Sequence, residues 1–347
     1  MEIALAYNDD HELAAGEADD SIGVEAVADQ VEKVEEACRG LGWEPRRVPV
    51  GRDLAAVVEL VERRRPDVVF SMVESIGGDA RLEAAAASLW EWLELPYTGS
   101  SPLALALALY KPLARAVLAG AGVPVPRGQV LTDGGESLDG LAYPVIVKPS
   151  REDGSHGIRS ESVAGDEREA RDRALYVVER YAQPALVEEF VGGREFNVSL
   201  LGPAEAPRVL PLREIRYTLP PELPRLMGYE AKWKPETIEY RETLPKTLDD
   251  PPDLVEAVSA TARAAYTAIG VRDYGRVDLR LAPDGMPVVL DVNPNPDIVP
   301  GGDFGLAATA LEAGLSFPDL VGFVVEQALA RSRRTRPASG SRGHGCS

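Results

Sequence analysis

The first hundred residues alternate short apolar runs with segments whose apolar residues recur at helical spacing. Glu2 to Tyr7 and Asp67 to Val73 have the length and composition of buried strands. Between them, Val27, Val31 and Cys38 mark one face of an amphipathic helix. Strands that alternate with helices are typical of a parallel sheet covered by helices. The pattern therefore predicts an α/β fold for this part of the chain.

A different pattern follows, in which helices and strands no longer alternate. Pro102 to Leu109 and Lys111 to Ala121 have helical spacing, and the proline-rich segment after them ends the second helix. Beyond them we predict a small α+β unit with one helix, Asp166 to Tyr181. Its expected strands are at Val130, Pro144 to Lys148, Ile158 to Val163, and Ala185 to Phe190.

The C-terminal part combines strands, helices and one long irregular segment. Residues 220–245 are rich in proline and polar side chains, and a connection of this length is typical of a lid or a binding loop. Helical spacing returns at Leu254 to Ile269 and in two later helices that end near Arg331. The expected strands are Glu195 to Leu201, Arg208 to Glu214, Gly275 to Leu281, and Pro287 to Asn293.

The length of 347 residues fits two or three domains, in agreement with these patterns. We predict an N-terminal α/β domain at 1–100, a central lobe at 101–190 and a C-terminal lobe at 191–331. The lid at 220–245 belongs to the last of these. The arginine-rich remainder, 332–347, has almost no apolar residues and is expected to be a disordered tail.

The charge of the chain limits its partners. With 37 Lys+Arg against 56 Asp+Glu, the net charge is −19, which repels nucleic acids and anionic membranes. The N-terminus does not have the pattern of a leader peptide, and the longest apolar run is too short to span a membrane. Two cysteines are too few for a disulfide framework. We therefore expect a cytoplasmic protein without a nucleic-acid or membrane partner.

Several catalytic motifs are absent. The chain has no Gly-Lys pair of a P-loop, no G-x-G-x-x-G fingerprint and no G-x-S-x-G elbow. Only His11, His156 and His344 are present, so a histidine-based triad is not expected. The chemistry must depend on carboxylates, lysines and arginines.

The strongest local signal lies on two strands joined by a tight turn. The turn brings Asp278 close to Asp291, and alternation places Asp291 and Asn293 on one face of their strand. Oxygen ligands of this kind suit Mg²⁺, which binds one or two carboxylates together with phosphate oxygens. Arg276 shares the face of Asp278, which indicates handling of a phosphate or an oxyanion. Alone, each of these acids is equally typical of a solvated strand end.

A second set of residues suggests a nucleotide. Lys148 ends an apolar strand, and the loop after it contains Gly154, Ser155 and Gly157, whose backbone N–H groups could turn towards an anion. Further along, acceptors that could hold a base and ribose hydroxyls surround a Gly-Gly turn. These acceptors are the side chains of Glu188, Glu189 and Glu195 and the main chain of Glu189 and Val191.

Together these segments resemble the ATP-grasp superfamily and, within it, the D-alanine:D-alanine ligase family. The resemblance implies an α/β, three-lobed ATP-grasp fold in which two α+β lobes sandwich ATP. It covers about Leu95 to Arg331, with motifs in the family's order. They are Leu95 to Ser100, Gly122 to Pro124, Pro144 to Glu152, Val187 to Phe196, Tyr229 to Lys232, Gly275 to Asp278, and Asp291 to Pro294.

The resemblance also implies a role for each candidate residue. Lys111 and Lys148 would face the phosphates, Glu188 the adenine, and Glu195 the ribose, while Lys232 would reach the γ-phosphate from the lid. Two Mg²⁺ ions, with Mn²⁺ as an alternative, would bind Asp278, Asp291 and Asn293. In this family a carboxylate becomes an acyl phosphate, and an amine then forms an amide. Arg276 would stabilise the oxyanion of that second step. A homodimer is expected.

The departures from the family concern the substrate. Asp297 stands where the family has a glycine near the acceptor's carboxylate, and it would repel that carboxylate. Glu74 lies in a loop that differs from the family's pattern and is a second candidate substrate contact. We therefore expect an ATP-dependent carboxylate-amine ligase that joins amino acids or small peptides. The alternatives are an authentic D-alanine:D-alanine ligase and a nucleotide-binding module without turnover.

Overall fold

Three separate β-sheets organise the chain. The computed structural model describes residues 1–9, 14–17, 21–248, 250–300 and 305–335. The strands are β1 Glu2–Asn8, β2 Glu44–Val50, β3 Val68–Met72, β4 Gly128–Leu131, β5 Val145–Pro149, β6 Val163–Ala164, β7 Ala185–Glu189, β8 Glu195–Gly202, β9 Arg208–Val209, β10 Arg213–Tyr217, β11 Thr243–Thr247, β12 Asp273–Leu281 and β13 Pro287–Asn293. The helices are α1 Ser21–Gly40, α2 Leu54–Arg63, α3 Glu83–Trp92, α4 Pro102–Leu109, α5 Lys111–Gly120, α6 Glu167–Tyr181, α7 Tyr229–Trp233, α8 Ile238–Arg241, α9 Pro252–Ile269, α10 Gly305–Glu312 and α11 Phe317–Thr335.

The N-terminal sheet is parallel, as its strand and helix alternation predicts. Its order is β2-β1-β3, and β1 pairs in parallel with both neighbours. The residues from Ile3 to Ala6 in the central strand are completely buried, because helices must cross over to join parallel strands and so cover the sheet.

The central sheet is antiparallel, with the order β4-β7-β5-β6. The prediction of a strand from Ile158 to Val163 is wrong, since only Val163 and Ala164 pair with β5. Residues 160–162 instead form a single 3-10 turn, which the Ser162 hydroxyl closes by accepting the N–H of Arg159 at 3.0 Å. A local hydrogen bond of this kind competes with sheet pairing.

The C-terminal sheet has the order β11-β10-β8-β12-β13, and α9 packs against it. The predicted single strand from Arg208 to Glu214 is wrong because it is two strands, β9 and β10. Pro211 lies between them, and proline has no N–H with which to continue a ladder. The β12-β13 hairpin forms as predicted and sets Asp278 opposite Asp291.

The segment 220–245 is more ordered than its composition predicts. It contains α7, α8 and the first residues of β11. Tyr229 is completely buried and Ala231 is nearly so, so buried side chains anchor a segment whose composition is mainly polar. We keep the name lid for residues 220–245.

The last helix belongs to the N-terminal core. Val31 and Val34 of α1 share one buried cluster with Leu320 and Val324 of α11. Helix α11 runs to Thr335, so the expectation of disorder from residue 332 is wrong for its first residues. The rest of that expectation, 336–347, lies outside the described residues. The predicted boundaries of the lobes stay predictions.

Within the described ranges, no single helix is both long enough and apolar enough to cross a membrane. Two pairs of consecutive helices, each bent at the junction, meet these two criteria when each pair is taken together.

Candidate active site

A cavity of about 370 Å³ opens between the central and C-terminal sheets. Residues from all three lobes reach it, and every site residue that the sequence predicts lines its wall. They are Glu74, Lys111, Lys148, Ser155, Glu188, Glu189, Val191, Glu195, Lys232, Arg276, Asp278, Asp291, Asn293 and Asp297.

The β12-β13 hairpin builds the centre of the cavity. Its register sets Asp278 directly opposite Asp291 and Arg276 opposite Asn293. The proximity that the sequence predicts is therefore confirmed, since opposed residues of an antiparallel pair have Cβ atoms about 5 Å apart. A turn at Gly285, where φ is 85°, closes the hairpin and requires a residue that tolerates left-handed backbone.

Arg276 and Asp278 form a fork-to-fork ion pair on one face of β12. Nε and Nη2 of Arg276 donate to the two carboxylate oxygens of Asp278 at 2.8 and 3.0 Å. The Asn197 amide donates to the same carboxylate at 2.7 Å from the neighbouring strand. Burial alone lowers the pKa of Arg276, but Asp278 outweighs it and raises the pKa above its usual value. The guanidinium is thus fixed and fully charged at the cavity wall.

Lys111 reaches the opposite strand of the hairpin. It begins α5, and its ammonium donates to Oδ2 of Asp291 at 2.8 Å. Burial alone lowers the pKa of Lys111, but Asp291 and Asp153 outweigh it and raise the pKa. In return, Lys111 and Lys148 overcome the effect of burial on Asp291 and lower the pKa of its carboxyl. Both partners are ionised at neutral pH.

The central sheet contributes a second buried ion pair. Lys148 on β5 lies 2.5 Å from Oε2 of Glu188 on the adjacent strand β7. Arg115 of α5 approaches the other oxygen of the same carboxylate at 2.6 Å. Both side chains of the Lys148–Glu188 pair are at most 8 % exposed. Both residues line the cavity.

Glu195 belongs to a network that sequence reasoning missed. Arg280 donates to Oε2 of Glu195 from Nε at 2.8 Å and from Nη2 at 2.5 Å, and the Tyr217 hydroxyl donates to the same oxygen at 2.5 Å. Nη1 of Arg280 also donates to the carbonyl of Val191 at 2.7 Å. The predicted ribose carboxylate is therefore held in one orientation, with Oε1 left for a ligand.

Glu189 and Val191 differ in what they can offer. The Glu189 side chain accepts the N–H of Ala142 at 2.9 Å, and its own N–H donates to Arg127 at 2.8 Å, so both groups are engaged in protein contacts. The N–H of Val191 makes no hydrogen bond to any described residue. This N–H lines the cavity and is free to donate to an acceptor atom of a ligand.

Lys232 is the one cavity cation for which the described residues show no ion pair or hydrogen bond. It lies on α7 in the lid and lines the cavity. Burial, followed by repulsion from the Arg276 guanidinium, lowers the pKa of Lys232 to about 8. An enclosed ammonium without a carboxylate partner is a site for an anion.

The lid is closed over the loop that follows β5. The Trp233 indole donates to the carbonyl of Gly154 at 2.9 Å, and the Ser155 hydroxyl donates to the carbonyl of Met227 at 3.2 Å. Ser155 therefore ties the lid to the loop through its side chain. Its φ is 64°, an uncommon left-handed conformation for a residue other than glycine. Gly154 and Gly157 also have positive φ, as a sharp turn requires, whereas the orientation of the N–H groups towards an anion stays a prediction.

The side-chain oxygens of the hairpin can bind Mg²⁺ only if further oxygens complete the coordination of the ion. Among the described residues, no group of three or more His, Cys, Asp or Glu side chains converges as a metal site. Asp278, Asp291 and Asn293 offer two carboxylates and one amide oxygen. Mg²⁺ commonly binds one or two carboxylates and takes its remaining ligands from phosphate and water. The residues therefore fit Mg²⁺ that is bound together with a nucleotide.

The other end of the cavity is acidic. Glu74 and Asp297, the predicted substrate contacts, lie there with Glu83, which the sequence analysis missed. Glu83 is only 6 % exposed and accepts the amide of Asn295 at 3.0 Å.

Comparison with known proteins identifies the family. The family described as D-ala D-ala ligase C-terminus matches residues 119–326. The D-alanine–D-alanine ligase of Gluconobacter oxydans is 32% identical over 299 residues, which are 85% of this chain and 92% of that protein. The chain belongs to the D-alanine–D-alanine ligase family. An uncharacterised protein of Sinorhizobium fredii is 34% identical over 268 residues, 77% of this chain and 76% of its own.

The fold agrees with this family. The D-alanine–D-alanine ligase of Bacillus anthracis, solved with ATP, superposes with a TM-score of 0.75 at 20% identity and covers 96% of this chain and 98% of its own. The predictions of an ATP-grasp fold, of a divergent member of this family and of an ATP-dependent carbon-nitrogen ligase are confirmed. The family uses ATP and Mg²⁺, in agreement with the predicted cofactors.

The residues that sequence reasoning missed follow a signal that the sequence contains. Arg276, Asp278 and Arg280 alternate along one strand, and Glu195 and Asn197 alternate along its neighbour. Side chains two apart share a face of a strand. Extending the pattern by one position would have found Arg280 and Asn197. The role of Glu83 has no such signal, because it is a single acid at the start of an alanine-rich helix.

Proposed function

We propose that the protein is an ATP-dependent ligase that joins a carboxylate to an amine through an acyl phosphate. One observation carries the proposal: the unpaired ammonium of Lys232 shares a cavity with the polar face of the β12-β13 hairpin. An anion-seeking cation beside carboxylates that suit Mg²⁺ is the arrangement that phosphoryl transfer requires. Because such a transfer depends on position and charge, no protein nucleophile is needed.

Each residue would do a limited task. Val191 would donate its N–H to the base, and Oε1 of Glu195 would accept a ribose hydroxyl. Lys111, Lys148 and Lys232 would hold phosphate oxygens. Asp278, Asp291 and Asn293 would hold two Mg²⁺ ions, or Mn²⁺ in their place. ATP with these ions supplies the γ-phosphoryl group and neutralises its charge.

The second half-reaction would depend on Arg276. The amine attacks the carbonyl carbon of the acyl phosphate, an amide bond forms, and inorganic phosphate leaves with the electrons of the broken C–O bond. The amine loses a proton in this step. The carbonyl oxygen becomes negative in between, and a fixed guanidinium stabilises such an oxyanion without reorganisation.

D-alanine as the second substrate is the alternative. Asp297 argues against it, because like charges about 4 Å apart repel by on the order of 4 kcal/mol at an effective dielectric near 20. We expect Asp297→Gly to raise any ligation of D-alanine to D-alanine and to lower the native reaction, both measured as ADP release. Efficient formation of the dipeptide by the unaltered protein, unchanged by this substitution, would favour the alternative.

The main test is ADP release over pairs of L- and D-amino acids and small peptides, with the product identified by mass. Substrate labelled with ¹⁸O in its carboxylate should pass one label to the released phosphate if the acyl phosphate forms. Absence of ADP release with every pair would favour a nucleotide-binding module without turnover. ADP release without label in the phosphate would contradict the acyl phosphate alone. A homodimer and a cytoplasmic location stay predictions.

A further inference from the structure

Helix α5 directs two cations to carboxylates of two different sheets. Lys111 begins the helix and donates to Oδ2 of Asp291 in the C-terminal sheet at 2.8 Å. Arg115 follows one turn later on the same face of the helix. Its Nε lies 2.6 Å from Oε1 of Glu188 in the central sheet. One helix therefore contacts acidic side chains of both sheets that enclose the cavity.

Arg115 reaches Glu188 from behind the cavity, which it does not line itself. Its Nη2 also donates to the carbonyl of Pro126. Strand β4 leaves room for this approach because it begins with a glycine. A Cβ at Gly128 would lie 2.7 Å from the Val187 carbonyl oxygen, 2.9 Å from Cγ of Glu188 and 3.2 Å from Nη1 of the arginine. The guanidinium is therefore held between a backbone carbonyl and a carboxylate, in a space that a larger residue would close.

Glu188 is a buried carboxylate with two cationic neighbours. Its side chain is 1 % exposed, and its Oε2 lies 2.5 Å from the ammonium of Lys148. No described residue donates a hydrogen bond to Oε1, so Arg115 balances this oxygen by its charge. Two cations and one carboxylate leave the group with a net positive charge. Lys148 is the cation of the group that lines the cavity.

The third charge matters because of what an isolated pair would do. A buried ammonium that faces one carboxylate forms a neutral pair, and the carboxylate repels any phosphate that the ammonium attracts. A second cation on the other oxygen of Glu188 offsets this repulsion. The ammonium of Lys148 then keeps a fixed position on β5 and still attracts a further anion.

We propose that Arg115 is a positioning residue for the nucleotide: it balances Glu188 from behind the cavity and leaves the Lys148 ammonium able to bind a phosphate oxygen of ATP. This inference rests on the proposed function, in which Lys148 holds phosphate. Arg115 acts through Glu188 and does not touch the nucleotide.

The first test measures the affinity of the full chain for a non-hydrolysable ATP analogue with Mg²⁺ by calorimetry. Arg115→Met should weaken binding by about tenfold or more, from the usual strength of a charge-assisted hydrogen bond. Arg115→Gln keeps a donor for the Pro126 carbonyl but no charge, and it should show the same loss. Arg115→Lys keeps the charge and should stay within a few-fold of the unaltered protein. Unchanged affinity in the Met and Gln variants, or an equal loss in the Lys variant, would overturn the proposal.

Arg171→Met is the matched control. Arg171 lies on α6, which packs against the central sheet, and it does not line the cavity. Like Arg115, it pairs with a carboxylate, that of Glu167 at 2.7 Å, and donates to a backbone carbonyl, that of Glu136 at 3.0 Å. Its replacement should leave the affinity for the ATP analogue unchanged. A loss equal to that of Arg115→Met would mean that any weakening of this part of the molecule suffices, and the proposal would be wrong.

The second test asks whether Arg115 acts through Glu188. In a Glu188→Gln background no carboxylate charge is left to balance, and the amide oxygen can still accept the Lys148 ammonium. Arg115→Met should therefore have little effect on the affinity for the ATP analogue in that background. A residue with a merely structural role would weaken binding by the same factor in both backgrounds, and that result would contradict the proposal.

Binding and turnover together separate this inference from the function on which it rests. In turnover, Arg115→Met should raise the KM for ATP and leave kcat largely unchanged, because a phosphate contact made equally before and during the reaction contributes to binding alone. The expected losses of affinity in a protein that releases no ADP would leave Arg115 assigned and the ligase proposal wrong. ADP release with an ATP affinity that Arg115→Met does not change would leave the ligase and overturn the role of Arg115.

Discussion

The two ends of the cavity are built on opposite electrostatic principles. At the nucleotide end, Lys148 with Glu188 and Arg280 with Glu195 form ion pairs of 2.5 to 2.8 Å, and Lys111 joins Asp291 at 2.8 Å. At the acidic end, Glu83 has only a neutral amide partner. The nucleotide end is thus balanced by ion pairs before a ligand arrives, whereas at the acidic end burial raises the pKa of Glu83 and Glu74 and favours their uncharged forms.

This difference indicates how each end selects its ligand. Paired charges hold side chains in place, so that phosphate and ribose meet a preorganised surface. Such ion pairs gain little stability from their charges alone, because burial removes the hydration of both groups. Buried carboxyl groups without a cation behave differently, because desolvation favours their neutral form and leaves hydrogen bonding as their main contribution. The predictions below change residues of the nucleotide end and test whether these residues act together.

The largest effect is expected from Asp291→Asn. The substitution removes one charge from the Mg²⁺ ligands and from the partner of Lys111 while it keeps the shape of the side chain. We expect ADP release to fall by about a hundredfold or more, since metal ligation contributes several kcal/mol to such a transfer. Steady-state kinetics across Mg²⁺ concentrations would measure the loss.

Asp284→Asn is the matched control for this prediction. It changes an aspartate of the same hairpin, in the turn between β12 and β13 and away from the cavity. Its ADP release should match that of the unaltered protein. Wild-type turnover in Asp291→Asn at ordinary Mg²⁺ would remove Asp291 from the metal site.

The next effect concerns the network around Arg280. Arg280→Met leaves Glu195 buried without its cation, which should destabilise the fold by about 3 to 5 kcal/mol and raise the KM for ATP more than it lowers kcat. The double variant Arg280→Met/Glu195→Gln should recover much of the stability but not the ATP affinity. Denaturation and kinetics of both variants and of the unaltered protein form the test. Unchanged KM in Arg280→Met would mean that the network has only a structural role.

Prediction from the sequence succeeded where residues recur in a local pattern. Alternation along two strands joined by a turn fixes which side chains face each other, and the register of Asp278 with Asp291 follows from it. The parallel N-terminal sheet follows from its strand and helix alternation in the same way. These features depend on neighbours that are close in the chain.

Prediction failed where distant segments decide the outcome. Arg280 becomes part of the site because β8 pairs with β12 and sets it opposite Glu195, and that pairing joins segments far apart in the chain. Likewise, the composition of residues 220–245 indicated an irregular segment, but Tyr229 is buried, and its N–H donates to the carbonyl of Ile158 in the central lobe at 2.7 Å. Composition alone cannot show which distant surface will cover a side chain.

A smaller effect should follow from Lys232, the cavity cation that has no ion pair among the described residues. Its pKa of about 8 implies that the ammonium is charged below pH 8, where ATP affinity should be constant. Above pH 8, binding must first take up a proton, so affinity should fall as pH rises. Lys232→Met should weaken ATP binding by about ten- to hundredfold at pH 7 and remove this dependence. Lys246→Met, a substitution outside the cavity, should retain the dependence of ATP affinity on pH. An ATP affinity that does not change with pH in the unaltered protein would exclude a pKa of about 8 for Lys232.

The smallest effect is expected at the edge of the balanced end, where the lid closes. Trp233→Phe removes the hydrogen bond to the Gly154 carbonyl and keeps an aromatic ring, so it should cost about 1 kcal/mol of closure. Trypsin cleavage within 220–245 should then accelerate about two- to tenfold in the nucleotide-free protein, because cleavage follows the open population.

Trp92→Phe is the control, since Trp92 is 75 % exposed on α3. A non-hydrolysable ATP analogue should slow cleavage in every variant, because bound phosphate adds a contact through Lys232. Equal cleavage of Trp233→Phe and the unaltered protein would show that the hydrogen bond from Trp233 to Gly154 does not hold the lid closed.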